Sequence, residues 1–318
     1  MKALILGGLG FIGSNLCRHL LDVDPDVQLT VVDDQSGTIV DWTDLKDRCE
    51  VIVGDMRTFT AESRSFDEVW HLASPVGSLG ILSRTGEISR DILDLAGHAH
   101  EIAAANEATL LYVSSSEVYG RDGQHSETVD LIVPNKHGAR MEYSLGKLTA
   151  EHMLYNLARD SGVPLRIARP FNCAGPGQSE RMGFVIPTFV RAALEGRGLP
   201  VHGDGKQRRA FCHVADLVEG LAAVHRTGEA GHLYNVGQPD GVLTISELAR
   251  FVVARLGSAS PIAHIDPAAL HGPHWTEAFD KVPDIDKIRT ATGWSPKRDL
   301  GVIIDDVASA MLRVDQAA

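Results

Sequence analysis

The sequence has few cysteines and no long apolar run. Its 318 residues include four cysteines, Cys17, Cys49, Cys173 and Cys212, and no two of them have the CxxC spacing of a metal or redox motif. We therefore expect free thiols and no bound metal. No apolar stretch approaches the roughly 18 residues of a membrane-spanning helix, and no signal-peptide pattern precedes the first predicted strand. We expect a cytoplasmic protein with no membrane contact.

Positive charge is also scarce. Lysine and arginine number 30 against 42 aspartates and glutamates, which gives a formal net charge of −12. This balance argues against a nucleic-acid partner and against an anionic membrane surface. It does not exclude an anionic small substrate, because a few local arginines can set the field of one pocket. The length and a hydrophobic fraction of 44% suit one large domain or two joined domains.

A glycine pattern near the start of the chain predicts a dinucleotide site. The apolar run Ala3 to Leu6 is predicted to be a buried parallel strand. Glycines in GxxGxxG spacing follow it, and an amphipathic helix begins among them. Glycine permits a tight turn and a close approach to a pyrophosphate, whose charge then meets the helix N-terminus. The predicted contact residues are Gly7, Gly10, Phe11, Ile12 and Gly13.

The end of the next predicted strand, Val27 to Asp33, indicates which dinucleotide is bound. Asp33 lies 20 residues after Gly13, where an acid accepts hydrogen bonds from a ribose hydroxyl pair. Asp34 is beside it, with no adjacent arginine, so a 2′-phosphate would be repelled. NAD is therefore favoured over NADP.

Strands and helices alternate through the first half of the chain, which predicts an α/β fold with a Rossmann-type doubly wound parallel sheet. Further strands are predicted at Val51–Val53, Val69–Ala73 and Thr109–Val113. Ligands collect at the carboxyl ends of such strands. There we expect cofactor contacts from Asp55, Met56, Leu72 and Ala73. Asp55 suits an adenine amino group, although a turn aspartate explains it almost as well.

A tyrosine and a lysine in YxxxK spacing predict the reactive group. Tyr143 and Lys147 share one face of a predicted helix, and an ammonium beside a phenol lowers the pKa of the phenol and makes it a usable base. Such a pair often occurs by chance on a surface. Here it follows a dinucleotide motif and a polar strand end, Ser114 to Glu117, and polar residues packed at such a place are costly unless they are solvated or functional. We therefore interpret the pair as catalytic.

Taken in order, the segments GGLGFIG, VVDD, HLAS, SSSEVYG, YxxxK and RPFN resemble the extended short-chain dehydrogenase/reductase family, in its nucleotide-sugar branch. The resemblance covers essentially the whole chain. It implies a nucleotide-sugar substrate and an NAD that stays bound and is regenerated in each turnover. It also implies that Tyr143 removes the proton of the C4 hydroxyl while hydride passes to NAD. Ser115 would hydrogen-bond the same oxygen, and Lys147 would hold the ribose and tune Tyr143.

The resemblance extends to the second half of the chain. It implies substrate contacts from a diphosphate arginine, the asparagine of RPFN, a stretch along the nucleotide base and a substrate-closing segment, which here are Arg209, Asn172, Val185 and Lys281. We expect an NAD-binding Rossmann domain at residues 1–175, with returns near 213–236. A smaller nucleotide-sugar-binding domain at residues 176–318 would be interleaved with it.

Ser116 and Glu117 bear on the step that follows oxidation at C4. A 4-ketone permits loss of a C6 carboxylate as CO2, elimination of a C6 hydroxyl, or inversion at C4. The Ser-Glu pair resembles UDP-glucuronate decarboxylases, whereas 4,6-dehydratases have Asp-Glu and simple 4-epimerases usually lack the glutamate. Decarboxylation of UDP-glucuronate or a related NDP-hexuronate is favoured, and epimerisation and dehydration stay open. Lys281 departs from the arginine common in decarboxylases, and Ser144–Leu145 departs from a frequent acidic pair.

Two functions outside this group of reactions are compatible with an NAD-binding fold. One is a sensor that binds NAD without chemistry, but such a protein typically lacks the tyrosine or the lysine of YxxxK, and both are present here. The other is an oxidoreductase that releases NADH after each turnover.

The resemblance also bears on assembly. Members of the family commonly dimerise through two long helices, here about Glu87–Asn106 and Arg140–Arg159, so we expect a C2 homodimer. The apolar residues of these helices can equally pack within one subunit: Ile88, Ile92, Leu95, Met153 and Leu157.

Overall fold

The computed structural model describes residues 1–37, 41–61, 64–75, 81, 84–120, 123–135, 137–266 and 280–317. The strands of this part of the chain are β1 (Lys2–Leu6), β2 (Gln28–Asp33), β3 (Glu50–Val53), β4 (Glu68–His71), β5 (Thr109–Val113), β6 (Gly123–His125), β7 (Leu165–Pro170), β8 (Cys173–Ala174), β9 (Leu199–His202), β10 (Arg208–Arg209), β11 (Cys212–His213), β12 (His232–Val236), β13 (Leu243–Thr244), β14 (Ile262–Ile265) and β15 (Lys281–Pro283).

The helices are α1 (Phe11–Val23), α2 (Ile88–Ala105), α3 (Ala139–Ser161), α4 (Val185–Leu194), α5 (Val214–Thr227), α6 (Ile245–Arg255), α7 (Asp286–Thr292) and α8 (Leu300–Ala317). None of these described helices combines the length and the apolarity that a bilayer crossing requires. The cytoplasmic location stays a prediction.

Seven parallel strands form the central sheet, in the order β12-β7-β5-β4-β1-β2-β3. Successive residues of a strand face opposite sides of a sheet, and both sides of β1 are buried. Ala3 and Ile5 belong to a core that includes residues of α1 and α5. Leu4 and Leu6 belong to a second core that includes residues of α2 and α3. Helices therefore cover both faces, which confirms the predicted doubly wound α/β fold.

The predicted elements of this sheet are confirmed, with ends that shift by one or two residues. The strand predicted at Val27–Asp33 begins at Gln28, and Thr109–Val113 is as predicted. The strand predicted at Val69–Ala73 is Glu68–His71. α5 and β12 also join this part of the fold, with β12 paired to β7. The division into two domains near residue 175 stays a prediction.

The rest of the chain encloses a third core and adds a short sheet. α4, α6 and α8 bury apolar side chains against one another, among them Phe189, Leu248 and Ile304. The short sheet has the order β13-β10-β15-β6. In it Lys281 is the register partner of both Arg209 and Gly123, so that two cationic residues from distant parts of the chain become neighbours.

The helices α2 and α3 lie close to each other on one face of the central sheet. A Cβ at Gly146 would lie 3.1 Å from the Cα of Ser89, so glycine at this position allows the close approach. Ile88 and Ile92, two of the apolar residues considered for a dimer face, are buried within the subunit. Leu157, by contrast, is exposed on α3.

A buried ion pair ties α3 to the sheet. Glu151, one turn after Lys147, accepts hydrogen bonds from Nε and Nη2 of Arg169 in β7, at 3.0 and 2.6 Å. The Ser114 hydroxyl donates to the same carboxylate. Both charged side chains are at most 5% exposed. Loss of either partner would leave an unpaired buried charge, so this pair fixes α3 to the ends of β5 and β7.

Candidate active site

The turn between β1 and α1 packs so closely that two of its glycines are required by the chain itself. Gly7 has a φ of +82°, and a Cβ there would lie 2.5 Å from the backbone nitrogen of Ala73. A Cβ at Gly13 would lie 2.3 Å from the Gly7 carbonyl oxygen. At Gly10 a Cβ would meet only that oxygen, at 3.7 Å. The space beside the Gly10 backbone is therefore open to a ligand.

The start of α1 is suited to bind an anion. Its N-cap residue is Gly10, which has no side chain to cap the helix, and no acidic residue lies in the first turn. The first N–H groups of a helix lack intrahelical partners and carry the positive end of the helix dipole. Together with the open backbone at Gly10, this end of α1 fits the pyrophosphate of a dinucleotide.

Asp33 is oriented by the turn beside it. Its Oδ2 accepts a hydrogen bond from the Leu9 N–H at 2.9 Å, and its Oδ1 accepts one from the Gln35 N–H at 2.8 Å. The acid at the end of β2 is therefore fixed to the glycine turn, where it can accept ribose hydroxyl groups.

The ends of β3 and β4 complete this wall. The N–H groups of Leu72 and Ala73 both donate to the Leu6 carbonyl, at 2.8 and 2.9 Å, which holds the chain after β4 against β1. Asp55 caps the short 3-10 helix Met56–Thr58 and pairs with Arg57 at 2.6 Å. The turn-aspartate interpretation of Asp55 thus has a structural basis, and its contact with adenine stays a prediction.

Tyr143 and Lys147 are both buried below the ends of β4 and β5. The Tyr143 hydroxyl forms hydrogen bonds with Ser115 and Ser74. Burial raises the pKa of Tyr143 to about 12, although those hydrogen bonds act in the opposite direction. The Lys147 ammonium donates to the Val113 carbonyl at 2.9 Å and lies 6.0 Å from the centre of the Tyr143 ring. Burial lowers the pKa of Lys147 to about 7, and Glu151 opposes that change.

These values correct one prediction. The i, i+4 spacing predicted that Lys147 would lower the pKa of Tyr143, yet in the protein chain by itself this pKa is raised. The reason is physical: loss of water around the phenol and the negative charge of Glu117 raise this pKa, and the Lys147 ammonium donates to the Val113 carbonyl. The prediction of a low tyrosine pKa from the chain alone was therefore wrong.

Glu117 lies between two cations. Its Oε1 accepts hydrogen bonds from Lys281 at 2.5 Å and from Nη1 of Arg140 at 2.9 Å. Burial by itself would raise the pKa of this carboxyl, but the charges of Lys281 and Arg140 outweigh burial and hold its pKa well below the usual range. Burial lowers the pKa of Lys281, and Glu117 opposes that change.

Serines 115 and 116 accompany this carboxylate in the turn after β5. The Ser115 hydroxyl accepts a hydrogen bond from the Glu117 N–H at 3.2 Å. Ser116 is 5% exposed. Ser115, whose hydroxyl hydrogen-bonds Tyr143, is therefore only two residues from Glu117 in the chain. The turn thus connects Tyr143 to the charged cluster of Glu117, Lys281 and Arg140.

The predicted substrate residues lie beside this cluster. Arg209 is 7% exposed and adjoins Lys281 across the short sheet. The Asn172 amide donates to the Ala210 carbonyl at 3.3 Å, which ties the end of β7 to the chain after Arg209. Val185 is the first residue of α4.

All of these residues line one cavity of about 800 Å³. This volume is within the range of ligand pockets, about 300–1,000 Å³. The cavity brings together every residue that the sequence predicted for the site: Gly7, Gly10, Phe11, Ile12, Gly13, Asp33, Asp55, Met56, Leu72, Ala73, Ser115, Ser116, Glu117, Tyr143, Lys147, Asn172, Val185, Arg209 and Lys281.

Two of the cavity residues that received no role from the sequence contact the predicted reactive groups, Arg140 at Glu117 and Ser74 at Tyr143. Arg140 lies three residues before Tyr143 on the same helix, a spacing that places both on one helix face. Ser74 directly follows the predicted strand end at Ala73. The helix spacing and the strand end were the available signals for a role of these two residues. Their contacts, of Arg140 with Glu117 and of Ser74 with Tyr143, join segments that are distant in the sequence, so the sequence did not predict them.

The family model that describes the NAD dependent epimerase/dehydratase family matches residues 3–237. The chain belongs to this family. It is therefore an NAD-dependent enzyme, and the open glycine turn, the uncapped helix start and the acid at the end of β2 fit that cofactor.

Two relatives that are named as decarboxylases are similar to this chain over most of its length. The chain is 32% identical over 306 residues to UDP-glucuronic acid decarboxylase 1 of Xenopus tropicalis, with 93% of this chain and 68% of that protein covered. It is 30% identical over 301 residues to UDP-N-acetyl-alpha-D-glucosaminuronate decarboxylase of Bacillus cytotoxicus, with 93% and 92% covered.

A solved structure of the family shares the fold. DesIV of Streptomyces venezuelae, a dTDP-glucose 4,6-dehydratase with NAD bound, is similar with a TM-score of 0.83 and 26% identity, over 99% of this chain and 97% of that chain.

Asp33 gives the first testable prediction. The Asp33→Asn variant keeps the size of the side chain and removes its charge and one acceptor. We expect NAD affinity to fall by about 1.5–3 kcal/mol, the worth of hydrogen bonds to a charged group, or roughly 10- to 100-fold. Calorimetric titration of protein stripped of bound nucleotide measures this.

The control is Asp24→Asn, which makes the same charge change at an aspartate that also accepts a backbone N–H two residues ahead. It should leave NAD affinity unchanged. An equal loss in both variants, or tighter binding of NADP than of NAD by the wild type, would contradict the role of Asp33.

Proposed function

We propose that this enzyme decarboxylates UDP-glucuronate, or a closely related NDP-hexuronate, through a transient 4-keto sugar. The observation that carries the proposal is the position of Glu117 between Lys281 and Arg140, in the turn that also presents Ser115 to Tyr143. The two relatives named as decarboxylases of nucleotide-linked sugar acids support it.

The charges at this end of the cavity suit a substrate carboxylate. Lys281 and Arg140 carry two positive charges against the single negative charge of Glu117, and Arg209 adds a third positive charge nearby. A sugar acid therefore meets net positive charge in a buried place, where electrostatic attraction is stronger than in water. A neutral hexose gains nothing from this arrangement.

The dinucleotide end is held by other residues. In the proposal, the Gly7–Gly13 turn binds the pyrophosphate, Asp33 accepts hydrogen bonds from a ribose, and Lys147 donates to the other ribose. NAD supplies a reversible acceptor for the C4 hydride, so that the reaction needs no external oxidant.

Tyr143 is the base for the C4 hydroxyl in this scheme. Its hydrogen bond with Ser115 brings both hydroxyl groups to one substrate oxygen. Because burial raises the pKa of Tyr143, the tyrosine stays protonated in the absence of a ligand and accepts the substrate proton only with positive charge nearby. In its protonated form Lys147 would provide such a charge at 6.0 Å from the ring.

The second step breaks a carbon–carbon bond. A ketone at C4 turns the C6 carboxylate into part of a β-keto acid, and cleavage of the C5–C6 bond releases CO2 and leaves an enolate. We assign the proton that C5 then takes to Lys281, since burial lowers the pKa of its ammonium and solvent can restore the proton. Tyr143 would return its proton to the C4 oxygen, and NAD, when bound, would supply the hydride for C4, so that the net change would be the exchange of a carboxylate for hydrogen.

Dehydration fits these residues less well. A 4,6-dehydratase must protonate a leaving hydroxyl group, but Glu117 has a lowered pKa and Ser116 is not an acid near neutral pH. Epimerisation at C4 requires Tyr143, Ser115, Lys147 and NAD and leaves Glu117 without a role. Glu117 therefore decides between the two remaining reactions.

The Glu117→Gln variant tests the proposal. It preserves the shape of the side chain and removes the charge that holds Lys281. We expect hydride transfer from C4 to persist in part, so that NADH absorbance accumulates after UDP-glucuronate is added. Release of CO2 should fall roughly 10²- to 10⁴-fold, the usual worth of a positioned acid or base.

Two further variants frame that result. Glu101→Gln, at a side chain that is 75% exposed, makes the same change away from the cavity and should leave CO2 release unchanged. Tyr143→Phe should abolish both NADH accumulation and CO2 release. Normal CO2 release by Glu117→Gln would contradict the role of Glu117 in decarboxylation, and conversion of UDP-glucuronate to its C4 epimer without CO2 would show that the enzyme is an epimerase.

We also propose that the enzyme is a C2 homodimer that pairs through α2 and α3. Support comes from exposed apolar side chains on α3, namely Leu145, Tyr155 and Leu157. Light scattering at micromolar concentration should give twice the chain mass of 34.3 kDa. Leu157→Glu should shift the mass to that of one chain, whereas Val314→Glu, on α8, should not; a monomeric wild type would contradict the proposal.

A further inference from the structure

We propose that Asn235 is a positioning residue for the sugar end of the cavity. Its buried amide fixes the turn that carries Glu117 and the strand that carries Lys281 to one point of the central sheet. The inference rests on the proposed function, because it concerns the contact between Lys281 and Glu117.

The side chain of Asn235 has no solvent exposure and bonds three separate segments. Its Oδ1 accepts a hydrogen bond from the Tyr119 hydroxyl at 2.7 Å. Its Nδ2 donates to the carbonyl oxygens of His125 and Asp284, at 2.9 and 3.1 Å. Both donors of the amide are used and its carbonyl has a partner, so that no other side chain of this size can replace it without loss.

Each of the three partners belongs to a segment next to the site. Tyr119 ends the 3-10 helix Ser116–Tyr119, which contains Glu117. His125 ends β6, and Asp284 directly follows β15, which begins with Lys281. The Asp284 N–H also donates to the His125 carbonyl at 2.8 Å, so the ends of the two strands are joined to each other at Asn235.

β6 and β15 need such an attachment because they are short. Each has three residues, and β15 has a single register pair with β10, between Lys281 and Arg209. Hydrogen bonds from a rigid, buried side chain hold the other end of the β6–β15 pair. Since Asp284 is three residues from Lys281, a shift there displaces the ammonium relative to Glu117.

Asn235 is itself held on several sides. In the central sheet it is the register partner of Arg169, whose guanidinium lies 4.9 Å from the centre of the Tyr119 ring and pairs with Glu151 of α3. The Tyr119 ring stacks on His125 with 4.5 Å between ring centres. A continuous buried network therefore runs from the helix of Tyr143 and Lys147 to the strand of Lys281.

Asn235 is not among the residues that line the cavity. It therefore does not contact the substrate and acts through Glu117 and Lys281. Loss of a merely structural residue would lower the stability of the fold without a specific effect on Lys281, and this difference can be measured.

A double-mutant cycle tests the link. We expect Asn235→Ala to lower kcat/KM for CO2 release from UDP-glucuronate roughly 10- to 100-fold, because a displacement of about 1 Å at a reacting group has such an effect. In a Lys281→Met background the same change should lower kcat/KM less than about threefold, since the positioned group is already absent. Equal effects in the two backgrounds would overturn the proposal.

Hydrogen exchange gives a readout that does not depend on the reaction. In NAD-loaded Asn235→Ala protein we expect the amides of residues 123–125 and of the non-proline residues of 281–284 to exchange at least about tenfold faster, while those of β1 keep their rates. Unchanged rates at 281–284, or a uniform increase along the chain, would overturn the proposal. If wild-type protein releases no CO2, the proposed function fails and the exchange rates still decide the role of Asn235.

Two other variants complete the test. Asn106→Ala removes an amide that also bonds two backbone groups, the Phe66 N–H and the Ile102 carbonyl, at a place outside this network. It should leave kcat/KM and exchange at 281–284 unchanged, and an effect equal to that of Asn235→Ala would overturn the proposal. If Asn235→Ala does not fold, Tyr119→Phe removes one of the three bonds and should accelerate exchange at residues 123–125 about threefold; no acceleration there would overturn it as well.

Discussion

The seven strands of the central sheet run in one direction, and this constraint places the carboxyl ends of all of them along one edge. Asp33 is the last residue of β2, and the other three residues each lie two positions after the end of a strand: Ala73 after β4, Ser115 after β5 and Asn172 after β7. Each residue therefore reaches the cavity because of the strand that precedes it, and the order of strands in the sheet sets the order of groups along the cavity. The short sheet then brings Lys281 and Arg209 to the same cavity from the second half of the chain.

Burial determines the protonation of the reactive groups in this cavity. Exclusion of water raises the pKa of Tyr143 to about 12 and lowers that of Lys147 to about 7. Glu117 is buried as well, but two adjacent cations keep its pKa low. The cavity thus contains one group that resists ionisation, Tyr143, and one that resists protonation, Glu117, and in the proposed function the cations around Glu117, not Glu117 itself, attract the carboxylate at C6.

The features that could be predicted from the sequence are local ones. The glycine turn, Asp33 at the end of β2, and the pair Tyr143 and Lys147 are patterns within short segments, and the structure places them as their spacing indicated. The strands of the central sheet were also predictable, because buried parallel strands are short apolar runs followed by turns.

The remaining features depend on contacts between distant segments. The pKa of Tyr143 was predicted in the wrong direction, because helix spacing shows which side chains are neighbours but not how much water they lose. The pairing of Glu117 with Lys281 joins residues 164 positions apart. Asn235 has no motif of its own, and its importance follows only from the three segments that it bonds.

Reaction of UDP-glucuronate with the enzyme in D2O, followed by NMR, tests the central claim most directly. Decarboxylation through a 4-ketone, with protonation at C5 by a group in exchange with solvent, predicts release of CO2 and a UDP-pentose with one deuterium at C5 and the original hydrogen at C4. A UDP-hexuronate inverted at C4, without CO2 and without deuterium, would contradict it.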